Sequence, residues 1–525
     1  MWAAAPGHAR ALRRAAAALA MLAAIAVAAY GCTALPPLGP RTHTVALEGA
    51  DDTRLGQAIA PLAANHPGLS GIHPLSDGRD AFAARVLLAD SAQRSLDAQY
   101  YIWRDDLTGT LMFDALRSAG ARGVRVRLLL DDNNTAGLDP VLAALDREPN
   151  IEVRLFNPFG VRRWRALAYL TEFGRLNRRM HNKSFTADNQ ASILGGRNIG
   201  DEYFEATSDT LFVDLDVLLV GPAVRAVSQD FDRYWNSASA YPVAALVDPA
   251  DAAAPGALAM RAAAQRGQAE AQGYLAGARS LAFAEQLTQG RLQLEWSRAR
   301  LVSDDPAKVL GKADPDQRMA VGLRKLLGEP TRQLDLVTPY FVPGKEAAQA
   351  LGDIARSGVQ VRVLTNSLEA TDVAAVHAGY AKWRRALLAA GISLFELRRS
   401  WGAELPRTGK GRFGSSASSL HAKTFAVDGR SIYVGSFNMD RRSIDLNTEM
   451  GLVIDSPLLA ARLGRVLEED MPARAYEVRL DANGKLYWIE RSEGTTRRHD
   501  QEPGTSIWKR AGVHLLSFLP IDWLL

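Results

Sequence analysis

The chain has 525 residues, 47% apolar and 23% charged, a globular balance that excludes a disordered protein at a length that exceeds one hydrophobic core. Its formal charge is +4, but Arg10, Arg13 and Arg14 precede Cys32 and no acid does, so the remainder carries only +1 and shows no electrostatic footprint of a nucleic-acid binder. With Cys32 as the only cysteine, an intramolecular disulfide is excluded.

In chain order, Arg10 to Arg14 precede an Ala-rich apolar run from Ala15 to Tyr30 that ends at Gly31-Cys32. A positive region followed by an apolar one of this length predicts a signal peptide over residues 1–31 and export of the chain. Cys32 resembles the acylated cysteine of a bacterial lipobox, with Tyr30 standing where a small residue is usual; the alternative is an uncleaved anchor helix. Either leaves the protein membrane-anchored and facing the periplasm. Residues 32–69, opening with Thr-Ala-Leu-Pro-Pro-Leu-Gly-Pro, are expected to form a linker.

Beyond residue 70 the sequence repeats. The strand-like Arg94–Trp103 returns as Arg332–Phe341, and the glycine-closed helix and strand of Ala121–Leu128 return as Arg356–Val363. Ile151–Phe156 returns as Ile392–Leu397, and these landmarks keep spacings of 235 to 241 residues. Strands alternating with helices in two equal halves predict an α/β fold with internal pseudo-symmetry: lobe 1 over 70–241 and lobe 2 over 301–475. Between them 242–300 is expected as a helical connector, and 476–525 as a tail. The tail's Ile507, Trp508, Leu515, Leu516, Phe518, Trp523 and Leu524 beside Lys509 and Arg510 suit either an interfacial amphipathic helix or one docked on the protein itself.

The decisive repeat is His181-Asn-Lys-Ser-Phe-Thr-Ala-Asp188 against His421-Ala-Lys-Thr-Phe-Ala-Val-Asp428. Each copy supplies an imidazole able to attack or to transfer a proton, an ammonium two residues on, and a carboxylate at the following turn. On an extended chain residues two apart share a face, so His181 with Lys183, and His421 with Lys423, are expected to reach one phosphate. A tight turn at Asp428-Gly429 folds Ser436 and Asn438 back opposite His421; a turn near Asn189 does the same for Gly196 and Asn198 opposite His181. Only ten lysines occur in the chain, and two of them fall at identical places, each motif being followed fourteen residues after its histidine by Gly-x-x-Asn. Phosphoryl transfer without a metal is the chemistry this suggests; nothing resembles a zinc or iron site, and no cofactor is expected.

At these residues the chain resembles the phospholipase D superfamily, and Leu128–Thr135, Arg178–Phe185, Gly195–Asp201, Asp372–Tyr380 and the Trp-Leu-Leu ending are similar to its bacterial cardiolipin synthase C type. The resemblance spans roughly residues 70 to 475. It implies two pseudo-symmetric lobes, each a mixed β-sheet flanked by helices, with one active site at their interface. It also implies transfer of a phosphatidyl group from phosphatidylethanolamine, or another phospholipid, to phosphatidylglycerol through a phosphohistidine. His181 would be the nucleophile and His421 the acid/base, an assignment that pseudo-symmetry leaves reversible. Lys183, Lys423, Asn198 and Asn438 would hold the non-bridging oxygens. Each histidine would be oriented by an acid of the opposite lobe: Glu449 for His181, and Asp214, with Asp216 open, for His421. Asp188 and Asp428 belong to the motif but suit structure more than chemistry, pairing with donors at the turn. Gly196 departs from the serine of the other copy, Ser436, so the half-sites are unequal.

Elsewhere Tyr100, Tyr101 and Trp103 are expected in the core rather than a lipid channel, His377 in a helix-start hydrogen bond, and Gly409–Ser419 in a loop beside His421. The expected partners are phospholipids and a membrane surface, not nucleic acid; oligomeric state is not fixed. A lipid hydrolase of the same fold, using water as acceptor, is the alternative activity. A noncatalytic lipid-binding pair of lobes is disfavoured because both motifs are complete.

Overall fold

The structure, a computed structural model, describes residues 35–39, 41–207, 210–279, 286, 291–399, 418–492, 494–519 and 524. The expected signal peptide, Cys32, most of the Gly409–Ser419 loop and Trp523 lie outside them. Among the described residues no helix is long and apolar enough to cross a membrane.

Two mixed sheets carry the repeat. In lobe 1 the strands run across the sheet as Glu295–Ser297, Ser70–Leu75, Asp216–Val220, Ala191–Gly195, Ser184–Ala187, Ser95–Ile102, Arg125–Asn134, Ile151–Phe156 and Ala240–Pro242. In lobe 2 they run as Ala299–Ser303, Met450–Ile454, Ser431–Gly435, Thr424–Val427, Gln333–Val337, Gln360–Asn366, Ser393–Leu397 and Ala475–Leu480, extended by Leu486–Ser492 and Thr495–His499. From the second strand of the first list and the first of the second, the two orders coincide strand for strand. Ser95–Ile102, Arg125–Asn134 and Ile151–Phe156 are parallel, as are their lobe 2 counterparts, and Ser95–Ile102, although it alternates polar with apolar residues, is buried on both faces, Ser95, Asp97 and Gln99 included. Its one buried charge is neutralised in kind: Arg127 forks onto Asp97 with two bonds of 2.7 Å, and in the other lobe Arg362 forks onto Asp335 at 2.7 and 2.9 Å.

The lobes are fused rather than tethered. Ile72, Leu194, Val217 and Leu219 of lobe 1 form one apolar cluster with Ala426, Ile432, Val434, Met450, Leu452 and Ile454 of lobe 2. Two short backbone pairings stitch the same junction: Leu211–Val213 runs parallel to Ser418–Leu420, and Met180 bridges Thr448.

Three expected boundaries shift. The 32–69 linker is not a free spacer: Arg41 donates to the carbonyls of Asn236, Ser237 and Ala240, and the helix Arg54–Ala64 lays Leu55 and Ile59 on the lobe 1 core. In the 242–300 connector, Ala254–Arg266 and Ala269–Arg279 are helical, but they pack on lobe 1 through Leu258 and Tyr274, and the segment ends as an edge strand of that lobe's sheet. The 476–525 tail begins with strands that prolong lobe 2, because Tyr476 and Val478 are apolar and Leu394–Leu397 offers an unpaired edge. Its terminal helix, Ile507–Ser517, buries only Val513 against Leu368 and Ala378. Ile507, Trp508, Leu515 and Phe518 are at least two-thirds exposed, so one face of the helix is docked on the protein and the other is left apolar and open.

Candidate active site

Each motif histidine stands in extended chain just before the first strand of a hairpin, Ser184–Ala187 or Thr424–Val427. The hairpins turn where both central residues have positive φ, Asp188 and Asn189 in one and Asp428 and Gly429 in the other, and the turns close through Gln190 N–H to Ala187 and Arg430 N–H to Val427, each at 3.0 Å. Asn, Asp and Gly tolerate that region, which is the local reason the turns fall there.

The interlobe pairings bring each imidazole against an acid of the other half. His181 N–H donates to Thr448 C=O at 2.9 Å, which sets the His181 ring beside the next residue, and Nδ1 donates to Glu449 Oε2 at 2.8 Å. His421 N–H donates to Val213 C=O at 2.8 Å, and its Nδ1 donates to Asp214 Oδ2 at 2.5 Å. Asp214 is therefore the partner of His421. Asp216 belongs to the lobe 1 core, bonded to the guanidinium of Arg85 and the N–H of Arg197. A carboxylate can only accept from an imidazole, so in both rings Nδ1 carries the proton and Nε2 is left for chemistry.

Both histidines are buried. Desolvation, then Lys183, Lys423 and His421, hold His181 well below its ordinary range, while desolvation and Lys423 lower His421 against the opposing pull of Asp214. That each histidine feels the lysine of the opposite motif shows how closely the half-sites meet. Burial brings the Lys183 ammonium down to about 7 and that of Lys423 to about 8. Lys183 Nζ donates to His181 C=O at 2.6 Å; Lys423 bonds to His421 C=O and lies 2.9 and 3.2 Å from the ring nitrogens of His421. Two ammonium groups disfavoured by burial are poised to gain from an arriving phosphodiester anion.

The acids are unequal, and their surroundings differ at Gly196 and its counterpart Ser436. A Cβ there would sit 2.1 Å from Asp214 Oδ1, so the carboxylate occupies the space that a serine side chain would need. In the other half Ser436 Oγ does not face its own histidine: it donates at 2.5 Å to Glu449, and Ser443 Oγ donates to the second oxygen at 2.9 Å. Burial would raise Asp214, but His421, Lys423 and Arg197 hold it below the usual carboxylate range. Burial dominates for Glu449 and pushes it up to about 7 despite Lys183 and the two serines.

Of the remaining sequence candidates, Asn198 is engaged within lobe 1, accepting from Ile102 N–H at 3.1 Å and donating to the Tyr203 hydroxyl at 3.0 Å. Asn438 is buried, its side-chain oxygen without a hydrogen-bond partner among the described residues. Asp188 and Asp428 sit at the far ends of the strands that follow the histidines, about 20 Å of chain away at ~3.3 Å per residue. Their partners are not donors of the turn. Asp188 accepts the N–H groups of Gln93, Arg94 and Ser95 at 2.7–3.2 Å, and Asp428 those of Thr331, Arg332 and Gln333 at 2.7–3.1 Å. His377 meets Arg384 and Glu502 and pins the tail.

Of the aromatics expected in the core, Tyr101 lies at the site instead, and Tyr203, Phe212, Asp304 and Lys308 were not singled out in the sequence. Tyr101 packs edge-on to His181 at 5.0 Å, and Tyr203 to His421 at 5.2 Å, with Phe212 at 5.0 Å. Tyr100 and Trp103, by contrast, are core. Behind Glu449, Lys308 Nζ donates to Asp304 and to Ser443 C=O, each at 2.9 Å, and Asp304 accepts the Glu449 N–H at 3.0 Å.

Residues 87–235 and 323–471 each match the family described as cardiolipin synthase, PLD-like domain. Over 472 residues the chain is 47% identical to cardiolipin synthase C of Escherichia coli (strain K12), covering 90% of this chain and all of that protein. This chain belongs to the cardiolipin synthase, phospholipase D-like family. It is accordingly a phospholipase D-superfamily enzyme of the phosphatidyltransferase/phosphodiesterase class. The family's more distant members include the major cardiolipin synthase ClsA of Bacillus subtilis (strain 168), 24% identical over 82% of this chain and 74% of that one. The fold is shared with a solved phosphatidylserine synthase from Haemophilus influenzae Rd KW20 at a TM-score of 0.53, 13% identity, 90% of this chain and all of that one. The two family matches fall on the two lobes whose strand orders coincide.

Proposed function

We propose that this enzyme moves a phosphatidyl group from phosphatidylethanolamine, or another phospholipid, onto phosphatidylglycerol by way of a phosphohistidine on His181. The observation that carries the reading is the pair of buried imidazoles, each with Nδ1 held by an acid of the opposite lobe. In the first step His181 Nε2 attacks the phosphodiester phosphorus, the bond to the headgroup oxygen breaks, and His421 delivers a proton to the departing alkoxide. In the second the acceptor hydroxyl attacks phosphorus while His421 takes its proton, and the P–N bond electrons return to His181. Lys183 and Lys423 neutralise the non-bridging oxygens throughout.

The unequal acids support this division of labour. Asp214 gives His421 a full carboxylate charge, whereas Glu449 spreads its charge over Ser436 and Ser443 and is held up near 7. A proton shared by the two rings is therefore better kept by His421, leaving His181 neutral and nucleophilic. The 47% identity to a protein named cardiolipin synthase C supports the choice of lipid substrates.

The apolar side chains exposed on Ile507–Ser517, together with Trp164, Leu167, Leu170 and Phe173 on and before the helix Arg165–Leu176, support seating on a membrane surface. Arg442 ties the chain end to the second of these helices, donating to Leu524 C=O and to Asn177, which ends that helix. Export by the leader, with Cys32 acylated or the leader retained, would place this face at a periplasmic bilayer.

The test is to incubate the full chain with vesicles of phosphatidylethanolamine and phosphatidylglycerol and to trap the intermediate with labelled donor. Cardiolipin production, and labelled enzyme that accumulates in His421→Ala but not in His181→Ala, are expected. Phosphatidic acid as the main product would establish the hydrolase, and unchanged turnover in both variants would remove the site.

A further inference from the structure

Besides the acids that hold the two histidines, an exposed acid that the reaction does not use lies near the site. Tyr340 follows the strand Gln333–Val337, which pairs with Thr424–Val427 so that Val337 faces Thr424. Beyond that strand Phe341 bridges Met439, the residue after Asn438, which brings Tyr340 to the same end of the sheet as His421. Its hydroxyl donates to Asp372 Oδ2 at 2.7 Å. The loop bearing Asp372 also starts at the site: Asn366 clasps Leu420, the residue before His421, accepting its N–H at 2.8 Å and donating to its C=O at 3.0 Å. Tyr340 senses both Tyr101 and Tyr203, the rings that pack on the two histidines, and Lys423 feels the charge of Asp372. Asp372 itself is exposed, and its second carboxylate oxygen has no partner among the described residues.

A phosphodiester bound by Lys183 and Lys423 satisfies those two ammonium groups and leaves the carboxylate of Asp372, whose charge Lys423 feels, for the group that the phosphate carries. An amino-alcohol headgroup holds its positive charge two carbons beyond the ester oxygen; a polyol headgroup offers only neutral hydroxyls. Phosphate on the lysines with ammonium on the acid pairs every charge of a zwitterionic donor. We propose that Asp372, steadied by Tyr340, receives the primary ammonium of the donor headgroup and so selects amine-bearing phospholipids over polyol-bearing ones for the first step. This rests on the proposed attack at a phospholipid diester and deepens it by naming the headgroup subsite.

The experiment uses full-length wild type, Asp372→Asn, Asp372→Glu and Tyr340→Phe with vesicles of phosphatidylglycerol alone and of phosphatidylglycerol mixed with phosphatidylethanolamine. Released glycerol and released ethanolamine are measured, so donor choice is read whether the acceptor is lipid or water. Asp372→Asn is expected to lower ethanolamine release about tenfold through KM, the scale of one partly exposed ion pair with its hydrogen bond, while glycerol release stays within about twofold. Asp372→Glu should recover most of the loss, and Tyr340→Phe should fall between. If Asp372→Asn does not fold, Tyr340→Phe with intact glycerol release carries the same comparison. An equal fall in both releases, a fall in kcat alone, or no change in either overturns the proposal. Wild type that releases ethanolamine and glycerol but forms no cardiolipin refutes the transfer reading while leaving the subsite to be judged by the variants; wild type that releases neither overturns both.

Discussion

Replacing Asp188 separates a catalytic from a structural role for the motif carboxylates. It is fully buried and is the acceptor for three consecutive backbone N–H groups, those of Gln93, Arg94 and Ser95, at the start of the central strand of lobe 1. Hydrogen bonds to a charged group are worth roughly 1.5–3 kcal/mol each, and a buried donor left unsatisfied costs roughly 1–3 kcal/mol. Because neighbouring losses are not additive and water can enter the gap, Asp188→Ala should destabilise lobe 1 by about 3–5 kcal/mol. At about 2–4 °C per kcal/mol for a unit of this size, the melting transition should fall by roughly 10 °C. Asp188→Asn keeps one acceptor oxygen and should lose less than half as much. The twin, Asp428, is only partly buried, so solvent can replace it and Asp428→Ala should cost about 1 kcal/mol. The assay is thermal unfolding, amide exchange at residues 93–95, and turnover per folded molecule well below the transition. The reasoning predicts that Asp188→Asn keeps near-normal turnover once corrected for the folded fraction. An Asp188→Ala protein as stable as wild type yet inactive would refute it and return the carboxylate to the chemistry.

Gly196→Ser should drive Asp214 away from His421, since the new Cβ lies within 2.1 Å of its oxygen; kcat is expected to fall about a hundredfold, as for a misoriented imidazole, and an unaltered kcat would show that the close approach is unimportant. The pH dependence follows from the lysines: both have lowered values, so each is charged below its own and loses its proton as pH rises, Lys183 through about 7 and Lys423 through about 8. KM for the phosphodiester should therefore climb from about pH 7 and more steeply above about pH 8, and Lys183→Arg, which stays charged, should remove the earlier part of that climb; a flat KM to pH 10 contradicts the assignment. On the terminal helix, Trp508→Ala with Phe518→Ala should weaken vesicle binding at least tenfold, at roughly 1.5–3 kcal/mol per large apolar side chain, with turnover on detergent-dispersed lipid unaffected; undiminished vesicle sedimentation would count against the membrane-facing reading.

The paired motifs and their spacing made the repeat, the α/β class and the histidine–lysine pairs legible, because a duplicated hairpin imposes its own short-range geometry: strand period, turn residues and the return of a Gly-x-x-Asn. The same locality explains the misjudged segments. Nothing within residues 32–69 announces that Arg41 will find three carbonyls near residue 237, and nothing within 476–499 announces the open edge beside Leu394–Leu397. Those partners lie roughly eighty to two hundred residues away.

What the sequence determined by itself is therefore the inventory: two imidazoles, two ammonium groups and two turn carboxylates at matched places, with a serine in one copy and a glycine in the other. Tertiary structure decided how they are used. Only the parallel pairing of Leu211–Val213 with Ser418–Leu420, and of Met180 with Thr448, puts Asp214 on His421 and Glu449 on His181, and directs Ser436 to the acid of the opposite motif's histidine. An acid and a base become a reacting pair through distance and burial, and both are properties of chain crossings between lobes that no local pattern encodes.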